Sequence, residues 1–127
     1  MQSKPRILFV DDEVAVLRSL KAMLRRERNR WDCVFASSGS EALEQLDAEP
    51  CLVVVSDMRM PAMSGEALLT EIHRRSPQTV SILLTGYADP EAVERLRSIL
   101  FADLAKPCDF DILRKTIERA LDSAVQT

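Results

Sequence analysis

The chain has 127 residues, long enough for one domain with a proper core, and its 46% hydrophobic and 29% charged content is that of an ordinary soluble globular protein. A net charge of −3 argues against sequence-independent binding to nucleic acid, which needs a basic surface. No segment approaches a membrane span, Met1–Pro5 lacks the apolar stretch of a secretory signal, and the three cysteines (Cys33, Cys51, Cys108) are odd in number and show no CxxC spacing, so a reducing, cytoplasmic setting is expected.

Taken in chain order, Ile7-Leu8-Phe9-Val10 predicts a buried strand over 6–10 that runs straight into Asp11-Asp12. Two adjacent carboxylates repel unless a cation or a proton separates them, and folding alone does not ask for them. A helix is expected over 13–29, with Val14, Leu17, Leu20 and Leu24 on its apolar side. The five Arg or Lys between Lys21 and Arg30 then read as its solvated face. A strand over 31–36 precedes a helix over 39–48, whose start carries Ser38 and Glu41 in the form of a capping box.

The next strand, 52–56, ends at Asp57. Met58, Met60 and Met63 follow and read as core packing or loop anchors rather than metal ligands. A helix over 65–75 carries the one histidine, His73, beside Arg74 and Arg75, which suggests an exposed position. The strand over 80–84 ends at Thr85, and Asp89-Pro90-Glu91 supplies the cap, proline and early acid that open a helix over 90–100. A last strand, 101–105, ends at Lys106-Pro107. Asp109 and Asp111 open a final helix over 110–123, with Arg114, Lys115 and Arg119 further along, as the helix dipole prefers. Five strand-like runs alternating with five amphipathic ones predict an α/β fold, a doubly wound five-stranded parallel sheet covered on both faces. One domain over 1–127 is expected, with its core at about 5–123 and no output domain in this chain.

Ligands of a doubly wound sheet bind beyond the carboxyl ends of the strands. Asp11, Asp12, Asp57, Thr85 and Lys106 all stand at such ends. Each has a bland reading: Asp12 as a helix cap, Thr85 as a turn hydroxyl, Lys106 as an exposed strand-end charge. Together they make the inventory of a metal-dependent phosphoryl site. Unit charges 4 Å apart repel by about 4 kcal/mol at an effective dielectric of 20. A hard divalent cation (Mg²⁺ or Mn²⁺) removes that penalty, and Mg²⁺ binds through one or two carboxylates plus water and phosphate oxygens. An aspartate attacking phosphorus gives an acyl phosphate, a lysine pairs with the phosphoryl oxygens, and a threonine hydroxyl can bond the same group.

Four stretches carry a resemblance: Ile7 to Glu13, Val54 to Gly65, Leu83 to Ala88, and Lys106-Pro107. In this order and at these separations the chain resembles the receiver domain of bacterial two-component response regulators over almost its whole length. The resemblance implies a flavodoxin-like (βα)5 fold with strand order 2-1-3-4-5 and assigns roles. Asp57 would be the phosphoacceptor, and Asp11, Asp12 and Asp57 with the backbone carbonyl of Arg59 would hold Mg²⁺. Thr85 would swing to the phosphoryl group, Lys106 would pair with it, and the bond to Pro107 would be cis. Arg59 and Tyr87 would flank the entrance and tune how long the phosphoryl group survives. The partners implied are a sensor histidine kinase or phosphotransfer protein, an output domain or effector, and a homodimer through the face of the fourth helix, fifth strand and fifth helix. No direct nucleic-acid or membrane partner is implied. The wording from Leu84 to Asp89 is similar to receivers attached to cyclic-di-GMP hydrolase or hybrid-kinase outputs.

Two positions depart from that family. The aromatic residue three before the strand-five lysine is Asp103 here, with Phe101 two residues earlier on the same side of the strand, and the usual Gly-Ala before that strand is Leu100-Phe101-Ala102. Two rival functions remain open. A dehalogenase-like phosphatase also uses Asp, Mg²⁺ and Lys, but wants an acid where Arg59 stands. A binding module that signals by contacts without phosphorylation is kept open by Asp103. The leading expectation is a signalling domain that catalyses only its own phosphorylation and dephosphorylation.

Overall fold

The computed structural model describes residues 4–86 and 90–125. The strands are β1 (Arg6–Val10), β2 (Asp32–Ala36), β3 (Val53–Asp57), β4 (Val80–Thr85) and β5 (Leu100–Ala105). The helices are α1 (Val14–Leu24), α2 (Gly39–Ala48), α3 (Gly65–Arg75), α4 (Pro90–Leu96) and α5 (Phe110–Val125). All strand pairs are parallel, as the sequence predicts, in the order β2-β1-β3-β4-β5 that the resemblance implies.

The strands β1, β3 and β4 are largely apolar because helices cover both faces, and their period of two divides them between two cores. Leu8, Val10, Val54 and Leu83 turn to the side of α2, α3 and α4, where they meet Leu43, Leu46, Leu68, Leu69, Ile72 and Leu96. Ile7, Phe9, Val55, Ile82 and Leu84 turn to the side of α1 and α5, against Leu20, Leu24, Leu113 and Ile117. The edge strand β5 instead alternates half-buried and exposed residues along its whole length.

Helix ends depart from the sequence reading most at α1 and α4, while α5 runs two residues beyond the expected 123. The sequence predicts a first helix as far as 29, but the α-helix stops at Leu24 and tightens into a 3₁₀ turn over Arg25–Glu27. Glu27 O accepts from the Arg30 and Trp31 amides at 2.9 and 2.8 Å, and this turns buried Trp31 into the core ahead of β2. Val14, expected on the apolar side, is 57% exposed at the helix start. The fourth helix, expected over 90–100, ends at Leu96, where the Ile99 amide donates to Leu96 O at 2.8 Å. Ile99 and Leu100 then pack on the core, and the sheet begins at Leu100, one residue earlier than expected. Leu100 pairs with Ser81 and Ala102 with Ile82, so Phe101 is the extra residue of a bulge that leaves it 40% exposed.

Caps explain the starts. Ser38 accepts the Glu41 amide at 3.1 Å, but the Glu41 carboxylate takes the Ser37 hydroxyl at 3.0 Å, so only half of the expected capping box forms. Asp109 accepts the Asp111 amide at 2.8 Å, while Asp89 lies outside the described residues. Ser38→Ala should therefore destabilise the fold by about 1 kcal/mol. Glu41→Ala should cost less than half of that, and urea denaturation of both variants measures the difference.

Candidate functional site

The sheet register brings the site together. Val10 pairs with Ser56 and Asp57 with Leu84, so Asp11, one residue beyond Val10, stands level with Asp57. Thr85 pairs with Ala105, and the Lys106 amide donates to Thr85 O at 2.7 Å. Asp57 and Thr85 are themselves the last residues of β3 and β4 rather than the residues after them.

Asp11, Asp57 and Thr85 are buried, at 2%, 6% and 8% exposure, and Asp12 is half-buried. One oxygen from each of the three aspartates lies within 4.8 Å of the others. Lys106 Nζ reaches into this cluster, 3.1 Å from Asp11 Oδ2 and 3.5 Å from Asp57 Oδ1. The other Asp11 oxygen accepts the Glu13 amide at 2.9 Å, a contact that the sequence does not announce. Helix α1 is capped at Glu13, without a side-chain bond, so Asp12 is not its cap.

The electrostatics follow from burial. Desolvation pushes the Asp57 carboxyl above its ordinary value of 3.8, and the charge of Asp11 adds to it against the opposing pull of Lys106. Burial works against the Lys106 ammonium, but its bond to Asp11 and the fields of Asp11 and Asp57 outweigh this and hold it above the lysine range. Three carboxylates and one ammonium leave a formal charge of about −2 in the cluster. The donors are all oxygen, which suits a hard divalent cation such as Mg²⁺ rather than a thiolate-seeking metal.

The loop after β3 bends tightly over Asp57. Its Met58 amide donates to Leu84 O at 3.0 Å, and the Gly65 amide returns to Met58 O at 2.7 Å. A Cβ on Gly65 would stand 2.2 Å from Asp57 O, so only glycine lets α3 start this close to the acid. Ala62 has φ of 66°, and the Met63 amide closes on Pro61 O at 2.7 Å, a tight turn strained for a residue other than glycine. Met58 is buried, and Met60 and Met63 pack on the same core, which makes the three methionines loop anchors as expected. Ser64 caps α3 by accepting the Ala67 amide at 3.1 Å.

The remaining expected residues lie around this centre. Arg59 is exposed on the loop, His73 is exposed on α3, and the Lys106-Pro107 bond is cis. Tyr87 lies outside the described residues. Asp103 and Phe101 share the exposed side of β5, away from the carboxylates. Asp103 instead lines a groove of about 490 Å³ between α4 and β5, together with Thr85, Val93 and Ala105.

Two consequences can be measured. Gly65→Ala should destabilise by about 1–3 kcal/mol through overpacking against the β3 backbone. For Asp57 the folded carboxyl holds its proton more tightly than the unfolded one. Its stabilising contribution is thus present at low pH and is lost as the pH rises through the raised value. Asp57→Asn should accordingly raise the melting temperature at neutral pH in chelator, a gain that shrinks on acidification towards the ordinary carboxylate range.

The family model for the response regulator receiver domain matches residues 7–118. The chain is 39% identical over 116 residues to the transcriptional regulatory protein ZraR of Escherichia coli (strain K12), covering 91% of this chain and 26% of that protein. It is 41% identical over 118 residues to the regulatory protein AtoC of the same strain, covering 91% and 25%. The chain thus spans about a quarter of the length of these curated relatives. A CheY-like receiver domain from Methanospirillum hungatei JF-1 superposes with a TM-score of 0.89 at 32% identity, over 98% of each chain. Among the described residues no helix is long and apolar enough to cross a membrane. With its strand order, its acidic cluster and these relatives, the chain belongs to the response regulator receiver domains of two-component systems.

Proposed function

We propose that Asp57 is the phosphoacceptor of this module and takes its phosphoryl group from a histidine of a sensor kinase or phosphotransfer protein. The observation that supports this most is a buried Asp57 with two further carboxylates within ligand reach and the Lys106 ammonium 3.5 Å away. An Asp57 carboxylate oxygen attacks phosphorus, the bond from phosphorus to the imidazole nitrogen breaks, and its electron pair stays on that nitrogen. The product is an acyl phosphate. Asp11, Asp12 and Asp57, with the Arg59 backbone carbonyl, would hold Mg²⁺, which when bound would offset the negative charge of the phosphoryl oxygens.

Lys106 then exchanges its Asp57 contact for a phosphoryl oxygen, as a point charge. Thr85, at the end of the neighbouring strand, turns its hydroxyl to the same group. The modification adds about −1.5 to −2 charge at neutral pH. Movement of Thr85 carries the change to the face of α4, β5 and α5, where an output domain, an effector or a second copy reads it. Arg59 and Tyr87 set how readily water reaches the acyl phosphate. The module acts on no substrate but itself, in the cytoplasm, and Pro107 fixes the turn that aims Lys106.

Incubation with Mg²⁺ and acetyl phosphate, followed by intact-mass measurement, tests this. The native chain should gain one phosphoryl group, and Asp57→Asn or added chelator should abolish the gain. Lys106→Ala should slow labelling by about 10²-fold, the usual loss for one preorganised donor. A native chain that stays unmodified with every small phosphodonor and with a kinase would overturn the reading in favour of a contact-only binding module.

A further inference from the structure

Helix α4 is packed on the core from one side and borders open space on another. Its buried residues Ala92, Val93 and Leu96 join the core shared with Leu68, Leu69 and Ile72 of α3. Beside that face lies the groove of about 490 Å³, lined by Val93 itself and, among others, by Thr85, Glu94, Arg97, Asp103 and Ala105. The β5 side chains that face it, Asp103 and Ala105, are short. Space for α4 to move therefore lies towards β5, directly over Thr85.

A polar contact to α3 stands against such a move. Arg95 Nε donates to Glu66 Oε2 at 2.6 Å and its Nη2 to Glu66 Oε1 at 2.8 Å, a two-bond fork between elements 29 residues apart. Glu66 follows Gly65, the residue that abuts Asp57 O, so its position is set by the loop that wraps Asp57. Arg95 lies on the helix that follows Thr85 in the chain. The pair thus joins the segment after Asp57 to the segment after Thr85. The fork also holds the Glu66 carboxyl below its ordinary range, chiefly through the hydrogen bonds from Arg95. Glu94, also on α4, is engaged separately by Arg97 at 2.8 Å.

We propose that the Glu66–Arg95 pair is a tether that holds α4 against α3 and opposes its displacement into the groove when Asp57 is phosphorylated. The tether rests on the phosphoacceptor reading and adds two positioning residues to it, neither of which touches the phosphoryl group. Arg95 is 56% exposed and Glu66 29%, so the pair is a modest brake rather than a lock. By linkage, a contact that favours the unphosphorylated arrangement weakens binding of a phosphoryl mimic by the same factor that the mimic weakens the contact.

The test is calorimetric titration with beryllofluoride and Mg²⁺, paired with amide hydrogen exchange over α4. Arg95→Gln and Glu66→Gln should each tighten beryllofluoride binding about two- to fivefold, the range of a well-formed exposed ion pair. Each should also speed exchange over 90–96 while leaving β1 and β3 unchanged. The double variant should gain no more than either single one, because both remove the same contact. Unchanged affinity in both single variants, or additive gains in the double variant, overturns the tether alone. A wild-type chain that does not bind beryllofluoride overturns the phosphoacceptor reading and the tether with it.

Discussion

Three carboxylates with oxygens within 4.8 Å of one another repel, and the ends of β1 and β3 stay together because other groups hold them there. At about 4 kcal/mol per pair at 4 Å and an effective dielectric of 20, the repulsion would be a large fraction of a small domain's stability. Lys106 Nζ bridges Asp11 and Asp57, and the Glu13 amide holds the second Asp11 oxygen. Hydrogen-bonded ladders on both sides of β3 fix the spacing. One ammonium against three acids leaves an excess of negative charge, and that excess is what suits the site to a divalent cation.

The same crowding dictates composition nearby. The loop after Asp57 has to return to the sheet within a few residues, and Gly65 is where backbone meets backbone. Met63 fills the space beside Gly39, where an added Cβ would stand 2.6 Å from the methionine sulfur, so the start of α2 and the loop share one close contact. Ala62 accepts a left-handed backbone in the same turn. A strained turn persists when its surroundings over-determine it, and here the anchors are Met58, Met60 and Met63 in the core.

Much of this was legible in the sequence. The order of strands and helices, and the acids, threonine and lysine at four strand ends, follow from apolar runs and what terminates them. What was not legible depends on contacts between distant residues. The early end of α1 is set by Trp31 turning into the core, and the early end of α4 by Ile99 and Leu100 doing the same. Neither has a local breaker to announce it. Val14 fits a helical period, yet sits in the first turn, beyond the reach of the sheet. The half-formed box at Ser38 shows the same limit, since Glu41 had a nearer donor in Ser37. The Glu66–Arg95 fork is invisible without the fold, because 29 residues separate its partners.

The departure at Asp103 takes its meaning from the groove beside it. A ring at that position would fill space next to Thr85, whereas Asp103 and Ala105 leave it open. The β5 side chains that line this groove are short, so α4 borders open space beside Thr85. Seven residues are too few for a helix to be stable alone, so its place is set by what it packs on. Ala92, Val93 and Leu96 supply a small apolar contact and Arg95 a fork to α3. A short helix packed on one side, with open space on another, belongs to the elements of a fold that rearrange most readily.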